Sequence, residues 1–409
     1  MKTLNMLLAA ALLMLMAGCT KDDAKPHPPP DAATIILTEK GAAVIGKSND
    51  FGIQLFQKVA VMDPGNLMLS PLSASVALTM LMNGAEEETY NQINTMLGYD
   101  GMTAAEVNEA YRSLVTQLLA ADASVQLGLA NAVWYRNSFV AKPAFMQTMQ
   151  EDFDAQVQGL DFGSPSALET INGWASDNTN GKIDQVLNEI SSDAVMFLMN
   201  ALYFKGSWSQ KFDKNQTNEA AFHYHDGSTS NIPTMHGQVP GRLVASPAYQ
   251  AIEIYYGRKN FTMIILLPDA DIDALTESLT PELWNDLTQQ LSAGFEQEVD
   301  LSMPQFSFDY EKNLNDALMA MGMMDAFIPG IANLMGIADA SLHISFVKQN
   351  TFVDVNEDGT EAAAVTTIGI ELTSAGDLPP QFIVDRPFLF FIREQTTNTL
   401  MFAGKVMAP

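Results

Sequence analysis

The 409-residue chain is predicted to be an α+β protein with a large, mostly antiparallel sheet. Three observations point there. Helical spacing of apolar residues dominates the early chain, and strand alternation dominates the later part. Between them and the C-terminus lies residues 356–373, a segment with a loop's composition at its start and a strand's alternation afterwards.

Ahead of any element, Lys2 precedes an apolar run over residues 4–16, too short to cross a bilayer and shaped like a secretory signal. It ends in Met16, Ala17, Gly18 and Cys19, which resembles the bacterial lipoprotein cleavage box, where the cysteine becomes the lipidated first residue. Cys19 is the only cysteine, so no disulfide framework is expected. Residues 1–18 are therefore read as a signal peptide and 19–37 as a flexible tether, proline-rich over 26–30. Asp22 and Asp23 close behind the cysteine resemble surface-export signals of some Gram-negative lineages. The expected location is the cell envelope, lipid-anchored, on the outer-membrane surface. Residues 38–409 form one domain, with no internal repeat.

Apolar residues three and four apart predict helices over 49–61, 73–81, 86–97, 104–120 and 166–179. Alternation predicts strands over 126–135, 194–204, 251–256, 263–267 and 299–308. It returns over 382–384, 388–393 and 400–406. In the unusual segment, every second residue is apolar or β-branched: Thr360, Ala362, Ala364, Thr366, Ile368, Ile370 and Leu372. Glu361 and Glu371 fall in the other set, so one face suits burial and the other water. No proline occurs between Asp354 and Asp377, whereas Pro379 and Pro380 close the segment as they would an exposed connection. Such a segment suits a chain that occupies both a loop state and a strand state.

A net charge of −27 argues against nucleic acid, heparin-like polyanions and anionic lipid as partners. No nucleophile elbow, paired-histidine zinc helix or phosphate loop occurs. Of the five histidines, His27 lies in the tether, and His343 stands apart. His223, His225 and His236 could approach one another, but no cysteine is left to complete a zinc shell, and they read as surface or hairpin residues. Asp354, Asn356, Asp358 and Gly359 match the first half of a calcium loop. Its ninth and twelfth positions, Ala362 and Val365, lack ligands, so no metal or other cofactor is expected.

Several ordered motifs together resemble the serpin family over about residues 40–409. Asn66, Ser70, Pro71, Ser73, Gly84, Ala85 and Thr89 resemble its helix-B region, and Asn131 to Trp134 a strand of its central sheet. Ile171, Asn172 and Trp174 with Thr179, Gly181, Lys182 and Ile183 resemble its helix F and that helix's exit. Asn200, Phe204, Lys205, Gly206 and Trp208 form the most specific internal match. Asp385, Arg386, Pro387 and Phe388, with Phe402, Gly404, Val406 and Pro409, resemble the C-terminal signature. The resemblance implies helices around a central sheet, two further sheets and an exposed reactive-centre loop.

It also implies an inhibitor, not an enzyme, with no catalytic residue of its own. A serine or cysteine endopeptidase attacks the loop and forms an acyl-enzyme, and the freed loop enters the sheet as a new strand with the protease attached. About fifteen extended residues span roughly 50 Å. Displacement distorts the protease's oxyanion hole and stops deacylation. The hinge is carried onto Glu357, Gly359, Thr360, Glu361, Ala362, Ala363, Ala364 and Val365; its small inward residues suit fast entry. The sheet-opening region falls on Ser70, Ser73, Asn200, Trp208, Gln305 and Gln349. Two positions depart from the family. Gln349 stands where many members have histidine, so its contact with Ser70, Ser73 and Asn200 must differ. Gln305 stands where some have a lysine that pairs with the hinge glutamate, here Glu357, so that ion pair is lost.

Family counting puts the reactive bond at Thr373–Ser374, within a window that includes Glu371, Leu372, Ala375 and Gly376. With no Arg or Lys between Glu357 and Asp385, the expected targets are of elastase, chymotrypsin, subtilisin or papain type. A monomer is expected, touching the membrane only through its lipid. The competing reading is a non-inhibitory surface lipoprotein of the same fold that binds a partner or ligand. Mass spectrometry of the C-terminal peptide released by a target protease is expected to place the new N-terminus between Leu372 and Gly376.

Overall fold

The computed structural model describes residues 32–360 and 378–409. Its helices are α1 (Glu39–Met62), α2 (Pro71–Met82), α3 (Glu87–Leu97), α4 (Ala104–Ala120), α5 (Pro143–Phe153), α6 (Pro165–Asn178), α7 (Ile272–Ser278), α8 (Pro281–Ala293) and α9 (Asn315–Ala320). The strands are β1 (Leu67–Leu69), β2 (Val125–Arg136), β3 (Ala155–Leu160), β4 (Met196–Ser207), β5 (Asn218–His223), β6 (Thr229–Ala245), β7 (Tyr249–Tyr256) and β8 (Phe261–Pro268). They continue with β9 (Gln297–Pro304), β10 (Phe306–Asn313), β11 (Lys348–Asn356), β12 (Gly359–Thr360), β13 (Gln381–Ile383), β14 (Phe388–Glu394) and β15 (Thr399–Val406).

Helix starts follow local chemistry. The Ser70 hydroxyl accepts from the Ser73 amide and Pro71 opens α2, where its missing N–H does no harm. Thr103 and Glu106 form a reciprocal capping box on α4. Helix α1 begins ten residues before the predicted start, because Thr38 caps it and Val44 and Ile45 are already buried. Ahead of it, the Ala33 amide donates to the Ala121 carbonyl at 2.8 Å and Ile35 is buried, so the chain is tied to the domain before the first helix.

Two sheets result. One has six strands in the order β10-β11-β12-β4-β2-β3, the other nine, with β5 paired to β6. Pairing is antiparallel except between β2 and β3 and between β9 and β13. The two further sheets implied by the family run together, because long β6 pairs β9 over one part and β7 over the other, meeting at Gly241. The strand predicted over 299–308 is two strands. Pro304 offers no N–H, and the Gln305 amide turns to Pro233, sending β9 and β10 into different sheets.

The main core lies around β14 and β15, every residue of which is buried. Phe391 meets Phe56 of α1 and Trp284 of α8, and Phe388 meets Phe306. Each such side chain adds roughly 1.5–3 kcal/mol of transfer free energy. A second cluster packs α6 on the six-stranded sheet, with Trp134 and Trp174 edge-to-face at 6.1 Å. One buried ion pair joins β7 to β14: Arg393 Nη2 lies 2.6 Å from Glu253 Oε1, with Arg242 at 3.4 Å from the other oxygen. Arg393→Ala is expected to leave Glu253 with only that longer contact, costing about 3–5 kcal/mol and lowering the thermal midpoint by several degrees.

Candidate functional site at the hinge turn

Among the described residues, β4 and β11 are joined in the sheet only through the two residues of β12. Thr360 lies opposite Gly206 of β4 and Val355 of β11, and Gly359 opposite Ser207 and Asn356. The approach is tight. Gly359 has φ of 144°, and a Cβ there would fall 2.1 Å from the Gly206 carbonyl oxygen. Only glycine fits that backbone and that gap.

Thr360 is buried, and its hydroxyl meets the Tyr256 hydroxyl at 2.6 Å. Burial pushes the Tyr256 hydroxyl pKa well above its ordinary value, so it stays protonated as a hydrogen-bonding group. The Tyr256 ring stacks on Trp208 at 4.4 Å, and Trp208 Nε1 donates to the Asn356 carbonyl at 2.9 Å. The same ring therefore supports both the hinge threonine and the turn above it.

The turn at Glu357 and Asp358 is held on every side. The Asn356 side chain accepts from the Asp358 amide at 3.0 Å, a local turn bond that asparagine favours. Trp208 and Phe212 amides donate to the Asp358 and Glu357 carbonyls. Glu357 Oε1 accepts from Gln305 at 2.8 Å and from the Thr217 hydroxyl at 2.5 Å. Gln305 thus replaces the family's ion pair with a neutral donor in the same role. Lys211 lies 3.0 Å from Asp358 Oδ1 and Lys214 2.7 Å from Oδ2. Chiefly through the bond from Lys214, the Asp358 carboxyl is held below its ordinary value of 3.8. The half calcium loop is accounted for by these contacts: Asp358 faces two lysines and Asn356 caps the turn.

Beneath β12, no ladder joins β4 to β11 among the described residues. A cleft opens there, lined by Leu202, Phe204, Phe352, Val353 and Thr360. The exit of α6 crosses it, with Lys182 Nζ 4.5 Å above the Phe352 ring and Asn180 donating to the Tyr203 hydroxyl.

Lower on the same strands, Gln349 Nε2 donates to the Ser70 carbonyl at 2.8 Å, and Gln349 Oε1 accepts from the Ser70 amide at 3.1 Å. Ser73 reaches Gln349 only through Ser70, and Asn200 instead donates to Asn131 at 2.6 Å. Gln349 therefore grips one backbone unit at the start of α2. The sequence reading did not single out Tyr256, Lys211, Lys214 or Thr217. Lys211 and Lys214 offered a faint signal, two of only 21 cations within one short stretch. Residues 361–365 of the hinge, the reactive window 371–376 and Cys19 lie outside the described residues.

Of the histidines, His225 approaches Asp271 at 3.9 Å and Asp273 at 3.4 Å; all three are exposed, and Asp271 caps α7. His223 and His236 do not join that group; their ring nitrogens meet Thr229 and Ser302.

The family profile described as serpin, serine protease inhibitor, matches residues 46–409. Human neuroserpin is 31% identical over 378 residues, covering 88% of this chain and 90% of that protein. The pig leukocyte elastase inhibitor is 32% identical, covering 88% and 97%. The crystal structure of tengpin, a thermophilic serpin in the native state, superposes with a TM-score of 0.82 at 28% identity, covering 93% of this chain and all of that one. Human thyroxine-binding globulin shares the fold with a TM-score of 0.81 at 24% identity, covering 90% and 99%. With its central sheet, hinge turn and C-terminal strands in family order, this chain belongs to the serpin family.

Proposed function

We propose that this protein is an irreversible suicide-substrate inhibitor of serine endopeptidases, and of papain-like cysteine endopeptidases where the loop fits them. The observation that carries the reading is β12, paired on both sides at one end of the gap between β4 and β11, strands that share no ladder with each other among the described residues. Continuing its register downward would set Ala362 opposite Phe204 and Val353, Ala364 opposite Leu202, and Thr366 between Asn200 and Gln349. Ile370 would then lie opposite Met196, the first residue of β4. These residues have the parity of Thr360, so they would face the buried side, beside Phe204, Leu202 and Val353. Glu361 and Glu371 fall on the opposite parity. The alternation in the sequence therefore matches the faces of that gap.

The chemistry belongs to the protease. Its nucleophile attacks the reactive-bond carbonyl, the peptide nitrogen leaves on the C-terminal fragment with a proton, and an acyl-enzyme remains. Strand insertion then moves that ester or thioester away before water attacks it. Small hinge side chains favour this outcome, because each rung must form faster than deacylation. The inhibitory relatives, among them the leukocyte elastase inhibitor, support a target with an apolar or medium-sized specificity pocket. The signal and Cys19 support a lipid anchor in the envelope; among the described residues no helix is long and apolar enough to cross a membrane.

A panel of elastase-, chymotrypsin-, subtilisin- and papain-like proteases is expected to yield at least one covalent complex that survives SDS. Thr360→Arg is expected to abolish that complex while leaving the loop cleavable, because a long charged side chain cannot hold the buried place that Thr360 has beside Tyr256. Cleavage by every protease without a complex, and without a rise in heat stability, would instead favour a ligand-binding member of the fold.

A further inference from the structure

We propose that Lys211 and Lys214 are positioning residues for loop insertion, holding the hinge turn closed through Asp358 so that the first rung of the new strand exists before any protease arrives. The proposal rests on the inhibitory reading for its consequence, but not for its geometry.

Residues 208–217, between β4 and β5, form a cradle around the turn. Backbone bonds from Trp208 and Phe212 fix the carbonyls of Asp358 and Glu357. The lysines fix the carboxylate of Asp358, one on each oxygen, with the acid itself only 16% exposed. The acid they hold is the residue immediately before Gly359, the first residue of β12. Anchoring Asp358 therefore sets the position at which β12 enters between β4 and β11.

Making a hairpin requires a turn and one cross-strand rung before further rungs add favourable pairing, so the early step is entropically the hardest. Here that step is already made. The pairing of Thr360 with Gly206 on one side and Val355 on the other is its rung, steadied by the Thr360–Tyr256 bond, and the Asp358 clasp is its turn. Once the loop is cut, insertion need only extend a ladder that has begun. Gln305 gives Glu357 a neutral partner, while the cationic hold falls on the neighbouring acid, Asp358. The Lys211 pair, with both partners largely covered, is screened less than a surface pair, whereas Lys214 reaches the same acid from solvent.

The test is charge reversal followed by charge exchange. In Lys211→Glu/Lys214→Glu, hydrogen exchange of the peptide spanning residues 356–360 is expected to accelerate about tenfold or more, while β2 and the lower part of β4, away from β12, keep their protection. Adding Asp358→Lys to that variant is expected to restore slow exchange, which a merely structural role for the lysine stems would not do. With the protease that forms the SDS-stable complex, the reversed variant is expected to need severalfold more inhibitor per protease inactivated. Its rate of initial association should stay near that of the parent.

Unchanged exchange at 356–360 in the reversed variant overturns the clasp, whatever the protein inhibits. Accelerated exchange with an unchanged inhibitor requirement overturns its role in insertion. If the parent protein forms no complex with any protease, the functional reading fails and the role in insertion falls with it, while the exchange measurement still decides the geometry.

Discussion

Two neighbouring strands of the six-stranded sheet, β4 and β11, share no ladder of their own among the described residues, and two residues of β12 bridge them at one end. Among the described residues each strand pairs outward, β4 with β2 and β11 with β10, and the two meet only through β12. The cleft below Thr360 and the α6 exit across it belong to the same feature. A strand added along that gap would pair with both neighbours, and the free energy of that pairing is what an inserted loop would release.

The borders of the gap are held from outside. On the β11 side, Gln349 and Thr351 bond to the backbone of Ser70 and Met68, tying the strand to the start of α2 and to β1. On the β4 side, pairing with β2 runs from one end to the other, and Asn200 bonds to Asn131 across it. Behind both strands lie β14 and β15, a wholly buried layer whose aromatic contacts fix the platform. A rigid frame of this sort can keep two strands apart, whereas a mobile one would let them close the gap.

At the mouth of this gap the polar groups act together. Tyr256 serves Thr360 with its hydroxyl and Trp208 with its ring, so one side chain couples the hinge to the turn. The strongly acidic chain spends two of its scarce lysines on Asp358. Glu357, beside it, takes neutral donors only from its side-chain partners Gln305 and Thr217. The two adjacent acids of the turn are thus held by different partners, Glu357 by neutral donors and Asp358 by two lysines.

Much of this was legible in the chain before folding. Helices with caps, such as α2 and α4, and strands with clean alternation, such as β2 and β14, were predictable because their signals are local. Pro143 and Pro281 marked the starts of α5 and α8, but their short amphipathic runs were passed over. β6 escaped because Pro233, Gly237, Pro240 and Gly241 break its pattern. The Asn356, Asp358 and Gly359 turn and the period-2 residues beyond it are likewise properties of the sequence, since turn chemistry and side-chain alternation need no partner to be written. Tertiary structure alone decided that Tyr256, 104 residues away, would meet Thr360, that Gln349 would hold Ser70 across 279 residues, and that Lys211 and Lys214 would close on Asp358. Those meetings depend on strand register, and register is set by which faces of distant strands are buried together, a quantity no local pattern contains.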